Sequence, residues 1–403
     1  MFTHEKLQQA FLRVKANKGC PGIDRVTIAH YERNLGVNLG ELSRLLASGR
    51  YQPLPVKEVL IPKPNGKARP LGIPAVRDRV VQAALLTAIE PYLEPTFAAS
   101  SYGFRSGKSA IEAVQHVETY LKDGYEYVVD ADIKDFFGTL NHHVLMTKLK
   151  KLVPERVCYL VLDFLNAGVM KEGNLRTATA GTPQGGVISP ILANLYLNDF
   201  DHSIEKTDWK LVRYADDFVI LCRSVNAAVQ AMKTVRRLLN PLKLELAEEK
   251  SRVTDWYHGF EFLGYRFQKY RGATKWPRRK AIEAFKEKVR RATRRLQPKN
   301  ILMVIKALNP AVRGWGNYFR YGNSKTRFTA LDSWVRMRLR SFIEKKKWPS
   351  GMNWKYPNDH FASLGLVSLA SLLAHPVLRQ LSLAAMAQPY RRAGCGKSAR
   401  PVR

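Results

Sequence analysis

A chain of 403 residues is too long for one small core, so two or three domains are expected. Its 45% apolar content is ordinary for a folded protein, but 66 Lys and Arg against 34 Asp and Glu leave a net charge of +32, which points to a polyanionic partner, nucleic acid foremost. Four dispersed cysteines without a Cys-x-x-Cys pair suggest neither a zinc module nor a disulfide framework, the longest apolar stretch is broken by His375, Pro376, Arg379 and Gln380 and does not read as a membrane span, and the N-terminal residues lack the apolar core of a secretory signal, so a reducing cytoplasm is expected.

In chain order, Leu7, Ala10, Phe11 and Val14 share one face of a helix over residues 5–18, which "KGCPGID" ends with turn chemistry. A second helix is predicted over 38–47, closed by Gly49. In "VKEVLIPKPNGKARPLGIP", β-branched residues flank a Pro/Asn/Gly turn, the pattern of a hairpin with a basic tip. Residues 76–94 and 107–122 read as helices, and "YEYVVDADIKDFF" as a buried strand. Asn141 caps a helix with Val144, Leu145, Leu149 and Leu152 on its apolar stripe. A Gly/Pro loop, "GTPQGG", leads into an apolar helix, the hairpin 211–222 follows, and Ala228, Met232, Val235 and Leu239 mark another helix over 226–239. "FEFLGYRF" reads as one short strand. Residues 271–300 hold twelve Lys or Arg and two Glu, while Ile282, Phe285, Val289, Ala292 and Leu296 keep a helical stripe, which makes a folded cationic helix. A helical unit is predicted over roughly 310–345, and the last residues, "PYRRAGCGKSARPVR", read as a loose basic tail.

Two carboxylate clusters carry the chemistry. "LVRYADDFVILC" sets Asp216 and Asp217 side by side between apolar strands, where like charges repel unless a cation joins them. Alone, an Asp-Asp pair more often means turn chemistry. Its company changes the reading: alternation in "YVVDADI" puts Asp130 and Asp132 on one face of a strand with Val129, Ala131 and Ile133 opposite. Hard carboxylate oxygens suit Mg²⁺, and two such ions can activate a 3′-hydroxyl and stabilise departing pyrophosphate.

"YADD" in an apolar hairpin resembles the Y-x-D-D signature of reverse transcriptases. "IPKPNGKARPLGIP", "SYGFRSGKSAIEAV", "DADIKDFF", "GTPQGGVISPILANLYL", "LELAEEKSRV" and "FEFLGYRF" are similar to that family's blocks and keep their order. "NKGCPGID" and "LNPAVRGWGNYFRY" are similar to the group II intron-encoded reverse transcriptases, which are also maturases, and the second resembles their domain X. The likeness covers nearly the whole chain. It implies an α+β right-hand polymerase fold, with fingers over 1–125, a palm over 126–267, a helical thumb (domain X) over 268–345, and a basic DNA-binding-like region over 346–403 without an HNH-type endonuclease cluster. It implies an RNA-directed DNA polymerase and maturase, with group II intron RNA, an RNA template with DNA primer, dNTPs and target DNA as partners, no membrane, and a bacterial-type cytoplasmic setting.

By the same resemblance, Asp132, with the Ile133 carbonyl assisting, and Asp216 and Asp217 are the ligands of two Mg²⁺ ions, which Mn²⁺ could replace; Asp130 is left out of that set. Phe137 matches the bulky residue beneath the incoming sugar, with Phe136 assigned to the core. Lys63 and Arg69 match the triphosphate clamp, Gln184 and Gly185 the surroundings of the nascent base pair, and Lys250 a general acid for pyrophosphate. "FFG" departs from the family's usual F-F-D at Gly138, which bears on how the next helix is capped. For RNA, the cations Arg278, Arg279, Lys280, Arg290, Arg291, Arg294, Arg295, Arg313 and Arg320 are the candidates, and Trp315 and Phe319, four apart, are assigned to a core face. Two other readings stand beside this one: a maturase that only assists splicing, and a free-standing relative serving host defence or DNA repair.

Overall fold

The structure is a computed structural model that describes residues 1–62, 68–171, 174–176, 181–182, 185–271, 273–345 and 353–374. Helix α1 (His4–Ala16) starts where Thr3 accepts a hydrogen bond from the Lys6 amide and buries Leu7, Ala10, Phe11 and Val14. Helices α2 (Ile28–Arg33) and α3 (Leu35–Ala47) follow, so the segment before residue 38 is already helical; Thr27, as N-cap of α2, is the local signal. Strands β1 (Val56–Pro62) and β2 (Ala68–Ile73) form the expected hairpin, with Ile61 opposite Arg69. Next come α4 (Val76–Leu93), α5 (Ala110–Lys122), β3 (Tyr127–Asp132), α6 (Phe136–Thr139), α7 (His142–Leu149) and α8 (Glu155–Asn166). Short strands β4 (Val169–Lys171) and β5 (Asn174–Arg176) precede α9 (Ser189–Glu205). Then β6 (Lys210–Tyr214), β7 (Asp217–Cys222), α10 (Val225–Leu239) and β8 (Arg252–Asp255) complete the part that holds the aspartates.

"FEFLGYRF" is two strands, β9 (Phe260–Phe262) and β10 (Tyr265–Tyr270). Phe262 pairs with Tyr265, and Leu263 and Gly264 both have positive φ, 47° and 83°. That is the two-residue loop of a type I′ hairpin, built on Leu-Gly rather than the Asn-Gly that usually announces one. Strand β11 (Ala273–Pro277) then precedes α11 (Arg279–Ala292), which Thr293 ends. Leu296 therefore lies beyond the helix and is 97% exposed, so the apolar stripe stops short of it. The unit predicted over 310–345 is two helices. Asn300 caps α12 (Ile301–Phe319) ten residues before Pro310, which the helix accommodates, and α13 (Lys325–Glu344) follows a break. Asn323 pins that break, donating to the Lys275 carbonyl and accepting from the Thr274 amide. Helices α14 (Asn358–Ser363) and α15 (Ser371–Ala374) end the described chain.

The chain forms two compact units, Met1–Ser109 with Ala131–Arg252, and Ala110–Asp130 with the described chain from Val253 onward. The sheets run β2-β1-β4-β5, β6-β7-β3-β8 and β11-β10-β9. In the first unit α4 and α9 are buried on nearly every face, as internal helices are. In the second, an aromatic core joins Tyr265, Phe285, Trp315, Phe319 and Phe328, which bears out Trp315 and Phe319 as core residues. Asp332 of α13 accepts from the Ser368 hydroxyl and the Leu369 and Ala370 amides, tying residues 368–370 to this unit.

One ion pair holds α5 to β11. The buried Lys275 ammonium donates to Glu118, which also accepts from the Thr274 hydroxyl at 2.6 Å and pairs with Lys122 at 3.1 Å. Burial raises the Glu118 carboxyl, but the Lys275 and Thr274 hydrogen bonds outweigh it and hold the group below its ordinary range. Burial also pulls the Lys275 ammonium down, while its hydrogen bond to Glu118 holds it up. Because Glu118 gives up its proton more readily folded than unfolded, its stabilisation is complete above the ordinary glutamate value and fades as pH falls through the folded one. Glu118→Gln is expected to cost about 3 kcal/mol by stranding Lys275 and to flatten the acid limb of stability, as read by urea melts across pH.

Candidate active site

The aspartate pair sits on a two-residue turn. Tyr214 closes against Asp217, leaving Ala215 and Asp216 in the loop, and Ala215 has φ +60°. A positive φ at the first loop position alone is the pattern of a type II′ turn, whose twist suits a hairpin. Gly103 lies directly against this turn: a Cβ there would stand 2.4 Å from the Ala215 nitrogen. The segment carrying Gly103 runs beside β6, the Arg213 amide donating to the Ser100 carbonyl and the Tyr102 amide to the Arg213 carbonyl.

Behind the turn is a buried polar knot that the sequence reading did not find. Arg213 is 1% exposed and Asp201, on α9, 0%. Arg213 Nε donates to Asp201 at 2.7 Å, and Nη2 donates to the other Asp201 oxygen and to the Ser101 hydroxyl at 2.8 Å. Nη1 donates to Asn194 Oδ1 at 3.2 Å and to the Ala215 carbonyl at 2.8 Å. Asn194 in turn donates to the Gly103 carbonyl at 2.8 Å. Burial pushes the Asp201 carboxyl up and the Arg213 guanidinium pulls it back. The signal was present in the sequence: an arginine inside an apolar strand needs a partner.

Asp132 ends β3, which neighbours β7 in the sheet. The segment 245–247 runs alongside it: the Lys134 amide donates to the Glu245 carbonyl and the Ala247 amide to the Asp132 carbonyl, with Ile133 bridged to Leu246. This brings Lys250 Nζ to 2.5 Å from Asp132. Pairing with Asp132 raises the Lys250 ammonium above the ordinary lysine value. Burial pushes the Asp216 carboxyl up, the Asp132 charge adds to the rise, and Arg69 and Lys250 oppose it. A desolvated carboxylate repelled by a second one is short of positive charge, and its oxygens are the donors that Mg²⁺ takes. Among the described residues, no group of three or more carboxylate, histidine or cysteine side chains is gathered to hold an ion unaided.

Phe136 and Phe137 are both buried, their rings 5.2 Å apart. The Phe137 carbonyl accepts from the Thr182 amide at 2.8 Å, and a Cβ on Gly181 would stand 2.9 Å from the Gly138 carbonyl. Gly138 itself leaves space for the Asp135 carboxylate, which a Cβ would meet at 2.3 Å. Gly185, at φ +118°, abuts β2: its Cβ would lie 2.5 Å from the Gly72 carbonyl. Lys63 and Gln184 lie outside the described residues. In the second unit Arg278 pairs with Glu261, and Arg290 and Arg291 pair with Glu287. Arg279, Lys280, Arg294, Arg295 and Arg313 are exposed, and Arg320 lies over the Tyr321 ring.

Comparison with known proteins gives the family. Residues 61–267 match the family described as reverse transcriptase (RNA-dependent DNA polymerase), and residues 282–358 match the group II intron maturase-specific domain. The chain belongs to the reverse transcriptase family and is of the group II intron type, an RNA-directed DNA polymerase followed by a maturase domain. It is similar to protein YkfC of Escherichia coli, 37% identical over 65% of this chain and 80% of that one. It is also similar to the group II intron-encoded protein LtrA of Lactococcus lactis, 29% identical over 57% of this chain; it spans about half of LtrA, 49%. A chain of a solved partial Cas6-RT-Cas1--Cas2 complex aligns over 62% of this chain and 42% of its own at 26% identity, with a TM-score of 0.38, too slight to build on. No helix among the described residues is long and apolar enough to cross a membrane.

Gly103→Ala is expected to lower dNTP incorporation on a primed RNA template about tenfold or more, because the new Cβ must displace the backbone of the aspartate turn. Primer extension beside circular dichroism checks this, with the folded signal retained.

Proposed function

We propose that this polymerase copies RNA into DNA on Asp132, Asp216 and Asp217 with two divalent ions, and that it serves as the maturase of a group II intron RNA in splicing and mobility. The observation that carries the catalytic reading is Asp216: a half-buried carboxyl, beside the Asp132 charge, on a turn whose backbone is fixed from behind. Bound divalent ions would supply a more acidic primer 3′-hydroxyl and neutralise the departing pyrophosphate. The chain's own residues do the rest. Arg69 on β2, with Lys63, clamps the triphosphate as a cation pair. Phe137, its carbonyl fixed by Thr182, sets an aromatic wall beneath the sugar, where a 2′-hydroxyl would clash. Gln184 and Gly185 frame the nascent base pair, and the Ile133 carbonyl assists Asp132. Lys250, kept protonated by its bond to Asp132, has a proton to deliver to pyrophosphate.

The RNA reading rests on the second unit. Phe285 and Val289 face its core, and the basic side chains coat the rest of α11. Arg278, Arg279, Lys280, Arg290, Arg291, Arg294, Arg295, Arg313 and Arg320 are its phosphate contacts, for the intron RNA in splicing and for template, primer and target DNA in mobility. The working division is fingers 1–125, palm 126–267, thumb 268–345 and a basic C-terminal region 346–403.

Asp216→Ala/Asp217→Ala should abolish cDNA synthesis from a primed RNA with dNTPs and Mg²⁺ while leaving splicing of the intron RNA flanking the gene intact. Splicing by both proteins without extension by the wild type would leave a maturase alone. Arg294→Ala/Arg295→Ala should weaken RNA binding and reduce the slope of log K against log salt by about 1.5, read by filter binding across a salt series; an unchanged slope would remove these two from the RNA contacts.

A further inference from the structure

We infer that Arg213 is a positioning residue for the polymerase reaction: it selects the turn type on which the aspartate pair is displayed. The inference rests on the assignment of Asp216 and Asp217 as ligands. Arg213 Nη1 donates to the Ala215 carbonyl at 2.8 Å. That carbonyl belongs to the peptide between Ala215 and Asp216, the central peptide of the two-residue loop. Peptide units are rigid planes, so holding this oxygen also fixes the Asp216 nitrogen and the direction in which the Asp216 side chain leaves the backbone.

The alternative is specific. Two-residue hairpin loops come as type II′ or type I′, and the two differ by a flip of this central peptide, with φ positive at the second loop residue in type I′ alone. Aspartate tolerates a positive φ better than most residues, so Asp216 gives no protection against the flip. Ala215 has φ +60° in either form. What holds the carbonyl inward is Arg213, and Arg213 is itself fixed by Asp201, Asn194 and Ser101. Its guanidinium reaches an aspartate and a turn carbonyl at once because its donors form a fixed planar fork, which an ammonium cannot reproduce.

A buried ion pair also stabilises or destabilises the fold, so the test separates the two roles. In Arg213→Met/Asp201→Leu both charges leave together, which usually preserves stability, but the carbonyl loses its donor. Melting temperature, Mn²⁺ affinity by electron paramagnetic resonance with primed RNA and a non-incorporable dNTP analogue bound, and the kcat and KM of dNTP addition on a primed RNA are measured. We expect a melting temperature close to wild type, Mn²⁺ affinity weakened about tenfold, and kcat down about 100-fold with KM for dNTP little changed. A folded double variant with wild-type kcat and Mn²⁺ affinity overturns the inference. Should that variant not fold, Arg213→Lys, which keeps a charge opposite Asp201, is read in the same way: lower kcat and Mn²⁺ affinity at unchanged melting temperature support the role, and wild-type values overturn it. Asp216→Asn is measured alongside. Full activity there overturns the ligand assignment itself, whereas loss of activity there with unaffected Arg213 variants overturns only the turn-selecting role.

Discussion

An arginine removed from water behind the aspartate turn is the constraint around which the first unit is arranged. A buried guanidinium is tolerated only when its charge is matched and its donors are satisfied. Asp201 supplies the charge, and Asn194, Ser101 and the Ala215 carbonyl take donors that Asp201 does not. Asn194 and Asp201 lie seven residues apart on α9, two turns of one face, so a single helix must run beneath β6 with that face toward it. Ser101 can reach only if its segment docks along the strand, and docking brings Gly103 against the turn, where no side chain fits. The burial of α9, the course of residues 100–103 and the backbone of the aspartate loop are thus one solution to one electrostatic problem.

The second unit handles its charges differently. Its interior is aromatic, and most of its cations remain at the surface, paired within the chain or laid over rings. Glu283 and Glu287 lie between the cations of α11, and Lys286 and Arg290 also approach the Trp334 ring. Such exposed pairs contribute little to stability. Their effect is to hold long side chains extended over one surface, where a phosphate could replace a glutamate as partner at small cost. Two are buried: Arg340, which donates to the Tyr356 carbonyl, and Lys275, which is committed to Glu118 and fastens α5 to β11.

Much of this was legible in the sequence, because hydrophobic period and turn chemistry are local. The helix over His4–Ala16, the β1–β2 hairpin, the Asn141 cap and the pairing around Asp216 and Asp217 could all be read within a dozen residues. What escaped was of two kinds. The Leu263-Gly264 turn and the start of α12 at Asn300 were hidden by unusual local chemistry: a leucine at positive φ, and a proline that reads as a helix start but sits in mid-helix. Arg213, Asp201 and Gly103 were hidden by distance. Nothing near Gly103 says that residue 215 will lie on it, and Arg213 announces only that it needs a partner, not which helix will bring one. Leu296 fits the apolar stripe of α11, yet Thr293, bonding back to the Val289 carbonyl, ends the helix first.

Gly185 meets the Gly72 carbonyl with room for no side-chain atom between them. The backbone at Gly185 and the strand that carries Arg69 are therefore separated by the thickness of bare backbone. Neither can be padded or trimmed, since one has no side chain to shorten and the other presents only its carbonyl. These two segments behave mechanically as one piece. If they line the nucleotide site as proposed, a change in nucleotide preference falls to Phe137, whose side chain can vary in size.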